Sequence, residues 1–228
     1  ISSTQYYVRS GYMFYKMREP MNALTHLIGD ILSFIGLVFL VYFAVVKGTT
    51  WHIVSFSVFG ISLILLYTAS TLYHALNLPK NKIEILQKID HMMIYVLIAG
   101  TYTPVCLTAL RGVWGWSLFA CIWSIAVIGI LLKIFWFNAP RWLSTLFYIG
   151  MGWMVIIAFV PLVNAISPQG LNWLVAGGLL YTIGGIIYAT KWPKINLKYF
   201  GFHELFHLFV LGGSICHFWF MIRYVLYL

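Results

Sequence analysis

Apolar residues run along this chain in seven long blocks, at 23–46, 51–76, 89–110, 113–135, 141–164, 171–190 and 202–226. Each is close to or above the roughly 20 residues a helix needs to cross the hydrocarbon of a bilayer. The breaks between them are short and carry residues that punctuate helices: Lys47-Gly48, Asn77 to Lys82, Arg111-Gly112, Asn138-Ala139-Pro140, Ser167 to Gly170, and Lys191 to Lys194. No internal repeat or low-complexity stretch interrupts the pattern. The expected fold is an all-α membrane protein, a seven-transmembrane-helix bundle forming one domain over 23–228, preceded by a segment at 1–22.

Composition sharpens this picture. Of 228 residues, 62% are hydrophobic and only 8% charged, against about 25% charged in a typical soluble domain. Aromatics make up 18%, including 10 Trp and 15 Tyr, as suits helix ends lying among lipid headgroups. Cys106, Cys121 and Cys216 sit singly in apolar stretches with no CxxC spacing, so neither a disulfide framework nor a thiolate metal site is indicated, and they read as small core residues. Residues 1–22 contain no apolar run ending in a small-residue cleavage site, so a removable leader is not expected.

The net charge of +9 comes from 14 Lys and Arg scattered between apolar blocks. They never form a basic face, which argues against nucleic acid as a partner. Assigned to alternate sides, they are strongly asymmetric. One side collects Arg9, Lys16, Arg18, Lys80, Lys82, Lys88, Lys133, Arg141, Lys191, Lys194 and Lys198; the other has only Lys47, Arg111 and Arg223. Because cytoplasmic loops retain positive charge, the amino terminus is expected in the cytoplasm and the carboxyl terminus outside. A multi-pass protein of a plasma membrane is expected.

Ionisable residues inside spans are costly and mark function by default, and here they gather at one depth. Ser70 and His74 close the second span, Asp90 and His91 open the third, and His203, Glu204 and His207 open the seventh; Glu19, Asn22 and His26 enter the first from the same side. His203 and His207 are four apart, so on a helix their rings share a face. With His74 they make three imidazoles from two helices, a set that binds zinc with its fourth position open. Asp90 is then placed to hold or deprotonate a water there. The plainer reading of each histidine is a hydrogen-bonded core residue, and that of Ser70 is a bond to the carbonyl four residues earlier. His203 to His207 also reads H-E-x-x-H, which makes Glu204 a rival base; its plainer reading is an acid favoured at a helix start. His91 reads as a supporting or interfacial residue, and His26 as a helix-packing hydrogen bond. His217 lies too far along the last span to share the metal and is expected to bond Asp30 if the first and seventh spans touch.

The segments Glu19-Pro-Met-Asn22-Ala-Leu-Thr25-His26, Ser70-Thr-Leu-Tyr-His74, Lys88-Ile-Asp90-His91 running to Gly100-Thr-Tyr-Thr-Pro104, and His203-Glu-Leu-Phe-His207 with His217 beyond resemble the signature blocks of the hemolysin III family. That is the bacterial branch of the progestin and adipoQ receptors (PAQR) within the CREST superfamily, related more distantly to alkaline ceramidases. The resemblance implies Zn2+ on His74, His203 and His207, with Ser70 and Asp90 beside the metal water, and a cytoplasmic amino terminus. With 22 residues before the first span, a hormone-receptor role is not expected to carry over. Two uses follow. One is an intramembrane zinc hydrolase of a lipid-like amide or ester, with Asp90 and Ser70 as its catalytic residues. The other is a pore-forming, cytolytic or membrane-sensing protein in which zinc is structural. The largely apolar outer halves of the spans disfavour a monomeric pore, and the oligomeric state is left open.

Overall fold

The computed structural model describes residues 17–195 and 197–228. Most of the expected segment 1–22, with Arg9 and Lys16 of the charge asymmetry, lies outside these residues. Eight α-helices follow: α1 Pro20–Lys47, α2 Thr50–Ala75, α3 Lys80–Leu107, α4 Val113–Phe135, α5 Arg141–Gly152, α6 Phe159–Ala165, α7 Pro168–Thr190 and α8 Phe202–Arg223. No named strand occurs among the described residues; Leu197 and Phe200 make an isolated bridge.

Local chemistry sets the helix starts. Pro20 and Pro168 occupy first-turn positions where no amide donor is needed. Ser167 Oγ accepts the Gly170 N–H at 3.3 Å, and Glu204 reaches back to accept the Gly201 N–H at 2.8 Å. At the other end of the bundle His52 Nδ1 accepts the Thr49 N–H, while its Nε2 lies 3.0 Å from the Val225 carbonyl and ties α2 to the chain's last turn.

Helices adjacent in sequence pack side by side from α1 through α4, α7 packs on α8 and α5, and α8 returns to α1 and closes the ring. The contact between α2 and α3 is close enough that a Cβ on Gly100 would collide with Ser62. Outward faces are apolar, as lipid requires: Ile31, Phe34, Ile35 and Val38 on α1, and Ile157 and Val160 across the fifth span, are all exposed. Cys106 and Cys216 are buried as expected, whereas Cys121 lies on an exposed face.

Six stretches are long and apolar enough to cross a membrane: Pro20–Lys47, Thr50–Ala75, Val113–Phe135, Arg141–Ala165, Pro168–Thr190 and Phe202–Tyr227. The block predicted at 89–110 falls in α3, a helix as long as α1 that starts nine residues earlier than predicted. It is less apolar because its first turns carry Lys80, Lys82, Glu84 and Lys88, and Asp90, Thr101 and Thr103 further along are buried in the bundle. Lys133, counted with the charges of the cytoplasmic side although it lies within the fourth predicted block, is in α4 and is buried.

The fifth block, predicted as one helix, is broken. Between α5 and α6 the chain tightens into a 3-10 turn over Met154–Ala158. Pro161 has no N–H to offer the carbonyl one turn back, and Gly150 and Gly152 weaken the helix ahead of the break. The Tyr102 hydroxyl repairs it: it donates to the Gly152 carbonyl at 2.6 Å and accepts the Val155 N–H at 2.9 Å. In lipid, backbone groups left without such a partner would be expensive.

Candidate metal centre

His74, in the last turn of α2, and His203 and His207, in the first two turns of α8, converge beneath the first turns of α1. Their ring centroids are 5.1 Å (His74–His203), 5.0 Å (His74–His207) and 4.7 Å (His203–His207) apart. One ligand nitrogen from each lies within 4.8 Å of the other two, so the three could hold a metal ion.

Hydrogen bonds from α1 decide which nitrogens face inward. Thr25 Oγ1 gives its single hydrogen to the Asn22 carbonyl at 2.9 Å, so at the 3.1 Å contact with His207 Nδ1 it must accept. His207 therefore carries its proton on Nδ1 and keeps the Nε2 lone pair free. His74 Nδ1 bonds the Glu19 carboxylate, which leaves His74 Nε2 buried with no partner. A carboxylate or hydroxyl behind the outer nitrogen, with a bare lone pair on the inner one, is the usual support for a metal-binding imidazole. Burial opposes ionisation of Glu19, but the hydrogen bond from His74 and the positive charge of the nearby Arg18 outweigh it and hold its carboxyl below the ordinary range. Arg18 Nε stands 3.5 Å from Glu19 Oε1, and the Glu19 N–H donates to the His74 carbonyl at 3.0 Å.

Ser70 and Asp90, the predicted catalytic pair, lie beside this cluster. Both are buried and line the same cavity as His203 and His207. Ser70 Oγ has no hydrogen-bond partner although the Asp90 carboxyl is its neighbour, so the bond to the carbonyl four residues earlier is not made. The cavity, of about 390 Å³, runs from these groups into the bundle past Ile94, Ile98, Trp153 and Val210, a size suited to a small or single-chain ligand.

The remaining ionisable residues take other places. Glu204 caps α8 through Gly201 and lies outside this cavity, which sets aside the rival-base reading. His26 makes no hydrogen bond; it stacks on His207 at 3.5 Å and 12° and meets Tyr67 edge-on at 5.0 Å, so its expected packing role is carried by ring contacts. His91 lines the cavity, with Tyr188 Oη 3.4 Å from its Nε2. His217 Nδ1 donates to the Gly213 carbonyl at 2.8 Å, and Asp30 accepts from Thr68 at 2.9 Å, so the suggested His217–Asp30 bond is absent although α1 and α8 do pack. Sequence reasoning missed the supporting roles of Glu19 and Thr25. Both lie in the first quoted block, but spacing gives no sign of which histidine each would meet.

Fold and site together define a multi-pass helical membrane protein with a buried three-histidine cluster at one end of an internal cavity. The haemolysin-III related family model matches residues 14–218, and the chain belongs to that family. It is 47% identical to the hemolysin-3 homolog of Bacillus subtilis (strain 168) over 212 residues, covering 93% of this chain and 96% of that protein. It is 45% identical to hemolysin-3 of Bacillus cereus over 208 residues, covering 91% and 92%. A more distant likeness, 26% over 232 residues, joins it to progestin and adipoQ receptor-like protein 1 of Caenorhabditis elegans, covering 88% of this chain and 50% of that one.

Proposed function

We propose that this chain is an intramembrane zinc-dependent hydrolase acting on an amide or ester of a lipid-like substrate. The observation that carries the reading is the cavity, which joins the histidine cluster, Ser70 and Asp90 at one end to an apolar chamber at the other. His74, His203 and His207 would hold the ion, with their outer nitrogens anchored as described. When bound, zinc supplies Lewis acidity that polarises a carbonyl and acidifies a water. Asp90 takes the proton from the attacking water and later returns it to the leaving group. Ser70, whose hydroxyl is not tied to its own helix backbone, donates to the carbonyl oxygen as charge builds there. The apolar chamber holds the acyl chain and keeps bulk water away from the reacting carbon.

All seven blocks, α3 included, cross the membrane in this reading. The amino terminus is cytoplasmic and the carboxyl terminus outside, which brings the histidines near the inner leaflet; the lysine and arginine asymmetry supports this.

A second reading rests on the same cluster. Ligands from α2 and α8, braced by Glu19 and Thr25 from the start of α1, would let zinc staple three helices of a pore or membrane-sensing protein. Asp90→Asn separates the two. Asp90 is not among the three metal-ligating groups, so the variant is expected to keep its zinc and its melting temperature. Lipid hydrolysis, followed by mass spectrometry of lipids from cells and proteoliposomes, is expected to fall about a hundredfold or more. Full biological activity with zinc retained would leave the staple as the function. Loss of zinc would make Asp90 a ligand.

A further inference from the structure

Lys133 lies two residues from the end of α4, where a lysine in a membrane helix ordinarily extends outward to water. Here it turns inward: 5% exposed, it lines the cavity instead. Its Nζ donates to Ser144 Oγ at 2.6 Å. An ammonium has three hydrogens to give, and this bond uses one. Arg141, on the neighbouring helix, lines the same end of the cavity with its guanidinium 4.8 Å from the Tyr188 ring centroid. Among the described residues no carboxylate lies within ion-pair distance of either cation. Asp90, the acid of the cavity wall, sits beside Ser70 at the histidine end. A buried cation without a counter-ion is costly inside a membrane protein unless something supplies the missing charge.

The cavity wall therefore carries two cations, Lys133 and Arg141, the latter reaching Tyr188 beside His203, next to a histidine pole with Asp90 and Ser70, and apolar walls beyond. We infer that Lys133, with Arg141, holds the anionic group, a phosphate or carboxylate, of an amphiphile whose chain fills the apolar chamber. This rests on the proposed hydrolase only in naming that amphiphile as its substrate; the binding itself needs no turnover. Neutral and cationic lipids of the same chain length lack the group that Lys133 completes.

The test compares hexadecyl phosphate, hexadecanol and inorganic phosphate as ligands of the purified protein in an uncharged maltoside. Binding is read by native mass spectrometry, with zinc content and melting temperature followed in parallel. Comparing variant with wild type for each ligand cancels its partition into micelles. Lys133→Met is expected to weaken hexadecyl phosphate about tenfold, the factor one charge-assisted hydrogen bond supplies, while hexadecanol is unchanged; Lys133→Arg keeps the affinity for hexadecyl phosphate. Equal loss for both ligands, or no loss for either, overturns the inference, the latter because the phosphate would then be held by the histidine pole. Displacement of hexadecyl phosphate by inorganic phosphate alone overturns the amphiphile and points to a soluble anion. Should Lys133→Met unfold, Arg141→Gln, at an exposed position, is expected to weaken hexadecyl phosphate severalfold, and no change there refutes the proposal. Charge preference without any lipid hydrolysis would sink the hydrolase reading and leave this one standing.

Discussion

Removing the Glu19 carboxylate tests whether the histidine cluster is built for a metal. Glu19 bonds the outer nitrogen of His74, a ring only 1% exposed, and so sets which nitrogen faces the other two histidines. Two substitutions grade the effect. Glu19→Gln keeps an oxygen that accepts the Nδ1 hydrogen but removes the negative charge that makes the imidazole a stronger donor. Glu19→Ala removes both, leaving His74 free to carry its proton on the inward nitrogen. The main-chain bond from Glu19 N–H to the His74 carbonyl survives in each, so the start of α1 stays attached to α2. Supporting groups of this kind are worth about 10- to 100-fold in metal affinity, or about 1.4–2.7 kcal/mol. The Glu19 side chain is 39% exposed, so water replaces part of its contribution. Glu19→Gln, which keeps an acceptor, is accordingly expected near threefold, below that scale, and Glu19→Ala near thirtyfold, within it. Titration of zinc-loaded protein with a chromogenic chelator reads both constants. Wild-type affinity in Glu19→Ala, at an unchanged melting temperature, would refute the assignment of His74 as a ligand supported by this carboxylate.

Three further outcomes follow from particular contacts. Thr25→Val keeps shape but removes the hydroxyl that accepts the His207 Nδ1 hydrogen, so zinc affinity should drop by up to about tenfold, a loss that unchanged chelator titration would contradict. Gly100→Ala drives a Cβ into Ser62 and should destabilise the bundle by about 1–3 kcal/mol in thermal melts, with Ser62→Gly in the same chain restoring much of it. Tyr102→Phe strips the hydroxyl that serves the break after α5; hydrogen exchange at Val155 should quicken and stability fall by about 1–3 kcal/mol, whereas an unaltered exchange rate there would show that the break needs no such partner.

Much of this was legible in one dimension because lipid is a uniform solvent. A span has to be apolar along its length, so its position reads directly from residues such as those of 113–135, which matches α4 at both ends. The same uniformity makes ionisable side chains conspicuous, and for that reason His74, Asp90, His203 and His207 stood out at a common depth. Four-residue spacing on one helix predicted that His203 and His207 would share a face. What sequence left undetermined depends on which helices touch and how they are rotated. The break after α5 has glycines and a proline to announce it, but the hydroxyl that stabilises it comes from Tyr102, about fifty residues away in sequence. Lys133, near the end of its predicted span, was counted with the charges outside the membrane, because hydropathy near a span end says nothing about inward or outward rotation; packing of α4 beside α5 turned it to Ser144. Glu204 and Glu19 are acids of the same kind at two helix starts, and only the fold sends one to a backbone cap and the other to His74. Spacing along a helix constrains neighbours within about a turn, whereas the partners that tune an imidazole lie on other helices, and their identity is a property of the assembled bundle.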